Sequence, residues 1–501
     1  MKKSSISNTF SAVFLQIITA ISGLIIPQLI ISNYGSTING MISSITQFIS
    51  YFTLVEAGVG NVSIFQLYKP LSENDKKEVN GILSATYKYY NKSGYFFLTL
   101  VFGLLFIYPH FISGQVDLST VIWMICILSS SSIFDYFILG KYRVLLTADQ
   151  KLYVLNYVQS LGTFLNTLFT VLLIYLNQSI IIVKLVSTLV YILRMVIVII
   201  YVKKKYDYLD FHTTPLYEKL SEKWSVLSHQ IAGMVVLNTD LVVLTIFKVP
   251  LSEISVYTVY NMILNVIINL LNSILTAMTP IFGNALSTKN KETIKKYYDL
   301  YELLFYILYF CLFTCLIVLY LPFLSVYSEN FTDANYIRPS FVLVFSLMGL
   351  MYMVRTPALT IINACGHYRQ TKKGAFIEAF INIVVSILLV VKFQIIGVIV
   401  GSICSHLFRS TELMIYNNRY LMKNTLKKTI KRVIRNILIL IVNILFLNVY
   451  IIDNCASYIE WFYKAIIVVV FSSISIVLLN LLFERKYLNI IIDKLKKKTS
   501  L

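Results

Sequence analysis

"LVSTLVYILRMVIVII", residues 185–200, is apolar enough to lie in a lipid bilayer, yet it carries Arg194 near its middle. At the centre of a lone helix in hydrocarbon an arginine costs about 2.5 to 3.5 kcal/mol on insertion scales. Such a residue persists only where protein, water or an anion compensates it. The stretch is not isolated. Of 501 residues 57% are hydrophobic and 13% charged, with a mean hydropathy of +0.74, whereas about a quarter of an ordinary soluble domain is charged. Hydrophobic runs near the ~20 residues needed to cross a bilayer follow one another along the chain. The composition is that of an all-α polytopic membrane protein.

Fourteen spans are expected, at 9–31, 38–66, 89–109, 119–140, 153–176, 180–202, 226–247, 254–282, 299–321, 338–363, 375–392, 395–416, 435–452 and 462–482. The net charge of +19 is spread between them rather than gathered in one patch. Lysine and arginine recur at every second inter-span segment, as in "KKKY" (203–206), "KNKETIKK" (289–296), "RQTKK" (369–373) and "KKTIKR" (427–432). Outer loops such as "ISGQVD" and "SENFTDAN" are nearly free of both. That rhythm is the positive-inside pattern, so both termini are expected in the cytoplasm and nucleic acid is not expected as a partner. The basic start "MKK" precedes an apolar run without a small-x-small cleavage motif, which reads as an uncleaved first span. The six cysteines show no metal-ligand spacing, and Cys311 and Cys315 read as small packing residues on one helix face.

The segment "KKKYDYLDFHTTPLYEKLSEKW" (203–224) separates six spans from the next six. At an offset of about 214 to 216 residues the two sets resemble repeats. Gln16 falls on Gln230, Gln47 on Asn261 and Asn166 on Asn382, and "YKPLSENDKKEVNGILSATY" falls near "NALSTKNKETIKKYYDLY". Six is even, so both sets enter the membrane the same way, as parallel repeats do. The expected organisation is an N-lobe at 1–204, a cytoplasmic linker at 205–225, a C-lobe at 226–420, and two appended helices with a basic cytoplasmic tail at 421–501.

Polar residues in these spans fall on defined faces. Lys184, Ser187, Tyr191 and Arg194 share one face of the sixth span; Ser402, His406, Arg409, Glu412 and Tyr416 share one of the twelfth, with Arg409 within one position of the repeat image of Arg194. Asn261, Asn265, Asn269, Asn272 and Thr276 fall within about a quarter of the eighth helix's circumference. The seventh has His229, Gly233 and Asp240 on one face, and Arg355 precedes Pro357 in the tenth. Polar faces of this kind turn away from lipid. The expected arrangement is a hydrated cleft between lobes, with Arg194, Arg409, Arg355 and Lys184 as its cationic lining. Gln47 and the four asparagines are its polar lining, and Asp240 and Glu56 are candidates for coupling or gating. The plainer alternatives are interhelical glue for the asparagines, packing contacts for His229 and His406, salt-bridged helix ends for Asp135, Glu302 and Glu378, and for Arg355 a pairing with one of those carboxylates.

Residues 34–83, "YGSTINGMISSITQFISYFTLVEAGVGNVSIFQLYKPLSENDKKEVNGIL", are more specific than composition. With its Tyr-Gly then Asn-Gly start, "LVEAGVGNVSI" and "LYKPLSENDKKEV", the segment resembles Wzx-type flippases, polysaccharide-repeat transporters of the multidrug/oligosaccharidyl-lipid/polysaccharide (MOP) exporter superfamily. "NTDLVVLTIFKVPLSEISVYTVYNMI" (238–263) is similar to that family's seventh-helix signature, and "RVLLTADQKLY" (143–153) to its fourth-to-fifth cytoplasmic loop. The resemblance implies a fourteen-helix, two-lobed exporter in the cytoplasmic membrane of a bacterium. Such a protein moves an undecaprenyl-diphosphate-linked oligosaccharide by alternating access for capsule, exopolysaccharide or O-antigen synthesis. It implies no enzyme activity and no cofactor, with membrane lipids, the lipid-linked oligosaccharide, the polysaccharide polymerase and other assembly proteins as partners. The sequence departs from the related lipid II flippases, which carry arginines in their first two helices: residues 9–66 contain neither Lys nor Arg. A multidrug exporter of the same superfamily, a lipid II flippase and a membrane polysaccharide polymerase or glycosyltransferase are the alternatives. The last would need a sizeable loop holding acids and bases around the reacting sugar.

Overall fold

No water reaches the bilayer interior to bond a free N–H or C=O, so each span must close its hydrogen bonds within itself, and helices do so. The structure, a computed structural model, describes residues 2–112, 114–220, 234, 238–422, 426–451 and 455–484; all regular elements among them are helical. Eleven described helices are long and apolar enough to cross a membrane. One of them, Tyr368–Leu421, is two spans: Gln394 interrupts it with φ 47° and ψ −121°, between the eleventh and twelfth expected segments. The second span is the broken run Ser36–Glu73, and the described part of the seventh is the helical stretch 238–246. The all-α, fourteen-helix organisation is that of a multi-pass membrane protein.

Side-chain caps start several of these helices. Asp117 accepts from the N–H groups of Ser119 (3.1 Å) and Thr120 (3.3 Å), Asn290 from Thr293 N–H (2.9 Å), and Ser457 from Glu460 N–H (3.2 Å), each satisfying a donor the helix leaves open. Several spans are not continuous. The second changes to a 3-10 turn at Thr53–Glu56, and the fourth (Leu118–Ala148) passes through a π-turn at Asp135–Leu139. The tenth divides into Pro339–Met353 and Thr356–Ala364, because Pro357 has no N–H to return to Met353. Hydroxyls of the ninth span, Lys291–Tyr327, take carbonyls at that break: Tyr306 donates to Val354 (3.2 Å) and Tyr309 to Leu350 (2.6 Å).

By packing, the chain divides into two units, Met1–Thr258 with Phe331–Ala334, and Val259–Asn330 with Asn335–Leu501. In the first, the segment after the sixth span is docked rather than loose. Asn80 donates to Tyr208 O (2.8 Å), Ser84 to Thr213 O (2.8 Å), and Leu216 N–H to Gly81 O (3.1 Å). A Cβ on Gly81 would lie 2.8 Å from the Leu216 side chain, so this approach needs glycine. Lys219 meets Glu78 at 2.6 Å, and the hydrogen bond holds its ammonium above the usual lysine range. In the second unit the last two spans, Leu426–Ile451 and Tyr458–Phe483, are fixed to the ninth by Arg432. That side chain is 1% exposed and pairs with Asp299 (2.8 Å), Glu302 (2.7 Å) and Glu484 (2.5 Å). Asn436 and Asn480 exchange amide hydrogen bonds beside it (3.3 and 2.8 Å).

Candidate anion site in the first unit

Two of the breaks meet. Tyr136, in the π-turn, donates its hydroxyl to the Thr53 carbonyl in the 3-10 turn at 3.2 Å. The meeting brings Glu56 and Asp135 to Arg143, which lies further along the fourth span. Its guanidinium binds Glu56 Oε1 at 2.5 Å and Asp135 Oδ2 at 2.7 Å. One cation is thus shared by two carboxylates, and with both acids ionised the triad carries one formal net negative charge. Single π-turns inside α-helices recur at functional sites.

Arg194 reaches the same place from the sixth span, Ile180–Lys205. It makes no ion pair and no hydrogen bond among the described residues, and its Nε is buried without a partner. Its guanidinium carbon lies 5.2 Å from the centre of the Tyr191 ring. The stem crosses the fifth span, Leu152–Tyr175, at Gly162, where a Cβ would fall 1.9 Å from Arg194 Cδ. A cavity of about 250 Å³ opens here, with Ser131, Ser132, Asp135, Arg143, Gln159, Tyr191 and Arg194 as its polar lining. Its charged groups compensate one another only at a distance: the triad's surplus negative charge faces a guanidinium that touches no acid.

The corresponding arginine of the second unit is placed differently. Arg409 donates to Thr371 O (2.9 Å) and to Glu412, and lies 3.6 Å from Glu378. Glu378 also holds Arg355 at 2.7 Å and His406 Nδ1 at 3.2 Å. Arg409 too crosses a glycine, since a Cβ on Gly374 would lie 2.4 Å from its Nη1. Both last-helix arginines therefore need a gap in the preceding helix, but only Arg409 finds carboxylates there.

A MatE family domain matches residues 234–391. No curated protein matches the chain by sequence. Among solved structures, the inward-closed lipid II flippase MurJ superposes with a TM-score of 0.67 at 16% identity, over 97% of this chain and 100% of that one. The fold is that of the MOP-superfamily transporters. An inward-facing multidrug resistance MATE transporter gives a TM-score of 0.61 at 13% identity, over 84% and 99% of the two chains. A MOP transporter from Pyrococcus furiosus Vc1, whose binding pocket is described as reversed in polarity, gives 0.56 at 14%, over 85% and 97%. These likenesses show the fold, and the MatE match covers residues 234–391.

Within this MOP fold the remaining expected site residues are dispersed. Lys184 is half-buried and has no ion pair among the described residues. Gln47 keeps a buried, unpartnered Nε2. Asp240 is buried and accepts from the Tyr257 hydroxyl at 2.6 Å. Asn261, Asn265, Asn269 and Asn272 lie in the second unit on the helix Leu251–Thr288, and their amides make no side-chain hydrogen bond among the described residues. His229 and Gly233 fall outside the described residues. Arg355 is paired with Glu378, one of the three carboxylates considered for it, and Asp135 and Glu302 are also in ion pairs. Sequence reading missed Arg143 as a cavity residue because it stands beside a basic loop, where an arginine carries no special signal.

Proposed function

We propose that this protein is a flippase that carries a lipid-linked, diphosphate-bearing oligosaccharide across the cytoplasmic membrane by alternating access, with both termini cytoplasmic. Arg194 carries the reading: a guanidinium in an apolar span, without an ion pair among the described residues, opening on a polar cavity. Lipid diphosphates are multivalent anions, and arginine grips phosphate oxygens bidentately. In the resting state the distant charge of the Glu56–Arg143–Asp135 triad compensates Arg194, which answers why a guanidinium can stand at that depth. Arg409, Arg355 and Lys184 are proposed as further cationic groups for the substrate, with Gln47 and the asparagines of the eighth span as polar lining. Asp240 and Glu56 are kept as coupling or gating groups.

The chemistry favours this over the alternatives. A pump for organic cations would gain from an unpaired acid, whereas the unpaired group here is positive. A lipid II flippase with arginines in its first two helices differs from a chain whose residues 9–66 hold none. An inside-negative potential drives an anion outward with about 2.3 kcal/mol per charge per 100 mV if the full field is crossed, so little ion coupling is needed. Capsule, exopolysaccharide and O-antigen units all fit these requirements, with the polysaccharide polymerase downstream. The test is Arg194→Ala: export should be lost at near-normal membrane abundance, with the lipid-linked intermediate accumulating on the cytoplasmic leaflet. Arg194→Lys should retain part of it. Low abundance with normal export per molecule would make Arg194 a packing residue and remove the site.

A further inference from the structure

We propose that Arg143 is the second phosphate ligand of this cavity, and that Glu56 is the carboxylate it releases when a lipid diphosphate arrives; the inference rests on the reading of Arg194 as a phosphate ligand. Four observations lead to it. Arg143 and Arg194 line the same cavity. The side chain of Arg143 is 42% exposed although its two carboxylates are largely covered, at 15% and 19%, so Arg143 is the most accessible member of the triad. With both acids ionised the formal charges of Glu56, Asp135, Arg143 and Arg194 sum to zero, and an incoming dianion upsets that sum unless an acid withdraws. Glu56 is the acid able to withdraw, because it ends the 3-10 turn that interrupts the second span, while Asp135 is built into the π-turn of Arg143's own helix.

A single guanidinium serves one phosphoryl group well; two on one cavity serve a diphosphate. In the resting protein the second is masked, so the cavity holds a fixed cation and a latent one. Binding becomes an exchange, in which phosphate replaces carboxylate on Arg143 and the freed Glu56 loosens the turn tied to the fourth span through Tyr136 and Thr53. Release is the reverse exchange, with Glu56 competing the phosphate off Arg143. The site thereby couples occupancy to a hinge in the second span, and it favours a diphosphate, which offers one phosphoryl group to each arginine, over lipid monophosphates.

The experiment uses the full-length protein in lipid nanodiscs, with farnesyl diphosphate and farnesyl monophosphate as probes in titration calorimetry. Wild-type protein should prefer the diphosphate by about tenfold or more. Arg143→Lys keeps a cation between the two carboxylates and so keeps the fold, but an ammonium lacks the planar fork; the preference should fall to a few-fold with monophosphate affinity unchanged. Glu56→Gln unmasks Arg143 and should tighten diphosphate binding several-fold while slowing lipid transfer in vesicles. An unchanged preference in Arg143→Lys, or weaker diphosphate binding in Glu56→Gln, overturns the role of Arg143. Should Arg194→Ala leave both probes bound as before, the cavity is not a phosphate site and the proposed function falls with it.

Discussion

At the scale of single residues, a missing methyl decides where Arg194 can lie. Gly162 is in the middle of a helix, where alanine is ordinarily the better helix former by about 1 kcal/mol. Here an added Cβ would stand 1.9 Å from Arg194 Cδ and drive the guanidinium from the cavity. Gly162→Ala should therefore abolish export as fully as Arg194→Ala does, at comparable membrane abundance, and the double variant should be no worse than either single. Additive losses would show that Gly162 acts through helix packing alone. Of these residues only Arg194 was visible in the sequence, because one charge in "LVSTLVYILRMVIVII" contradicts everything around it. Nothing in "VQSLGTFLN" marks Gly162, whose necessity comes from a side chain on another helix.

Helical spans were legible for a simple reason: a run near 20 apolar residues has few alternatives in hydrocarbon. Their interruptions were not. Apolarity predicts a continuous tenth span over 338–363, which is divided before Pro357, and a continuous second span over 38–66, which is broken at Thr53–Glu56. Proline announces the first break. The 3-10 turn and the π-turn at Asp135–Leu139 have no such marker in "TLVE" or "DYFIL", since the two are held to each other, Tyr136 by Thr53 and Glu56 by the Arg143 that also holds Asp135. Periodicity reports which face of a helix is polar. It does not report that two distant turns share a cation, which is why the candidate site was half seen.

For the whole molecule the distribution of basic residues gives a direct prediction of orientation. A reporter fused after Asp117 or Asn330 should read as external, and one fused after Lys204, Lys289 or Lys427 as cytoplasmic. An external reading at Lys289 would contradict both the span count and the parallel repeat. Orientation also bears on the proposed export, because the inside-negative potential that favours outward movement of an anion assists it when the cavity of Arg194 loads from the cytoplasm.

The attachment of the last two spans has a consequence for engineering. They supply Arg432, which Asp299 and Glu302 of the ninth span have as their buried counter-charge. A chain ended after Leu421 would lose more than two helices. It would leave both carboxylates stranded in a low-dielectric interior, and breaking a buried pair in this way costs about 3 to 5 kcal/mol. The shortened protein should be degraded on expression, whereas the same truncation carrying Asp299→Asn and Glu302→Gln should recover a substantial part of the membrane abundance, measured by immunoblot of isolated membranes. Equal abundance of the two truncated forms would show that Arg432 is dispensable to the ninth span. If the substitutions do rescue it, a minimal transporter of this fold can be reached by neutralising an interior before cutting away what had neutralised it.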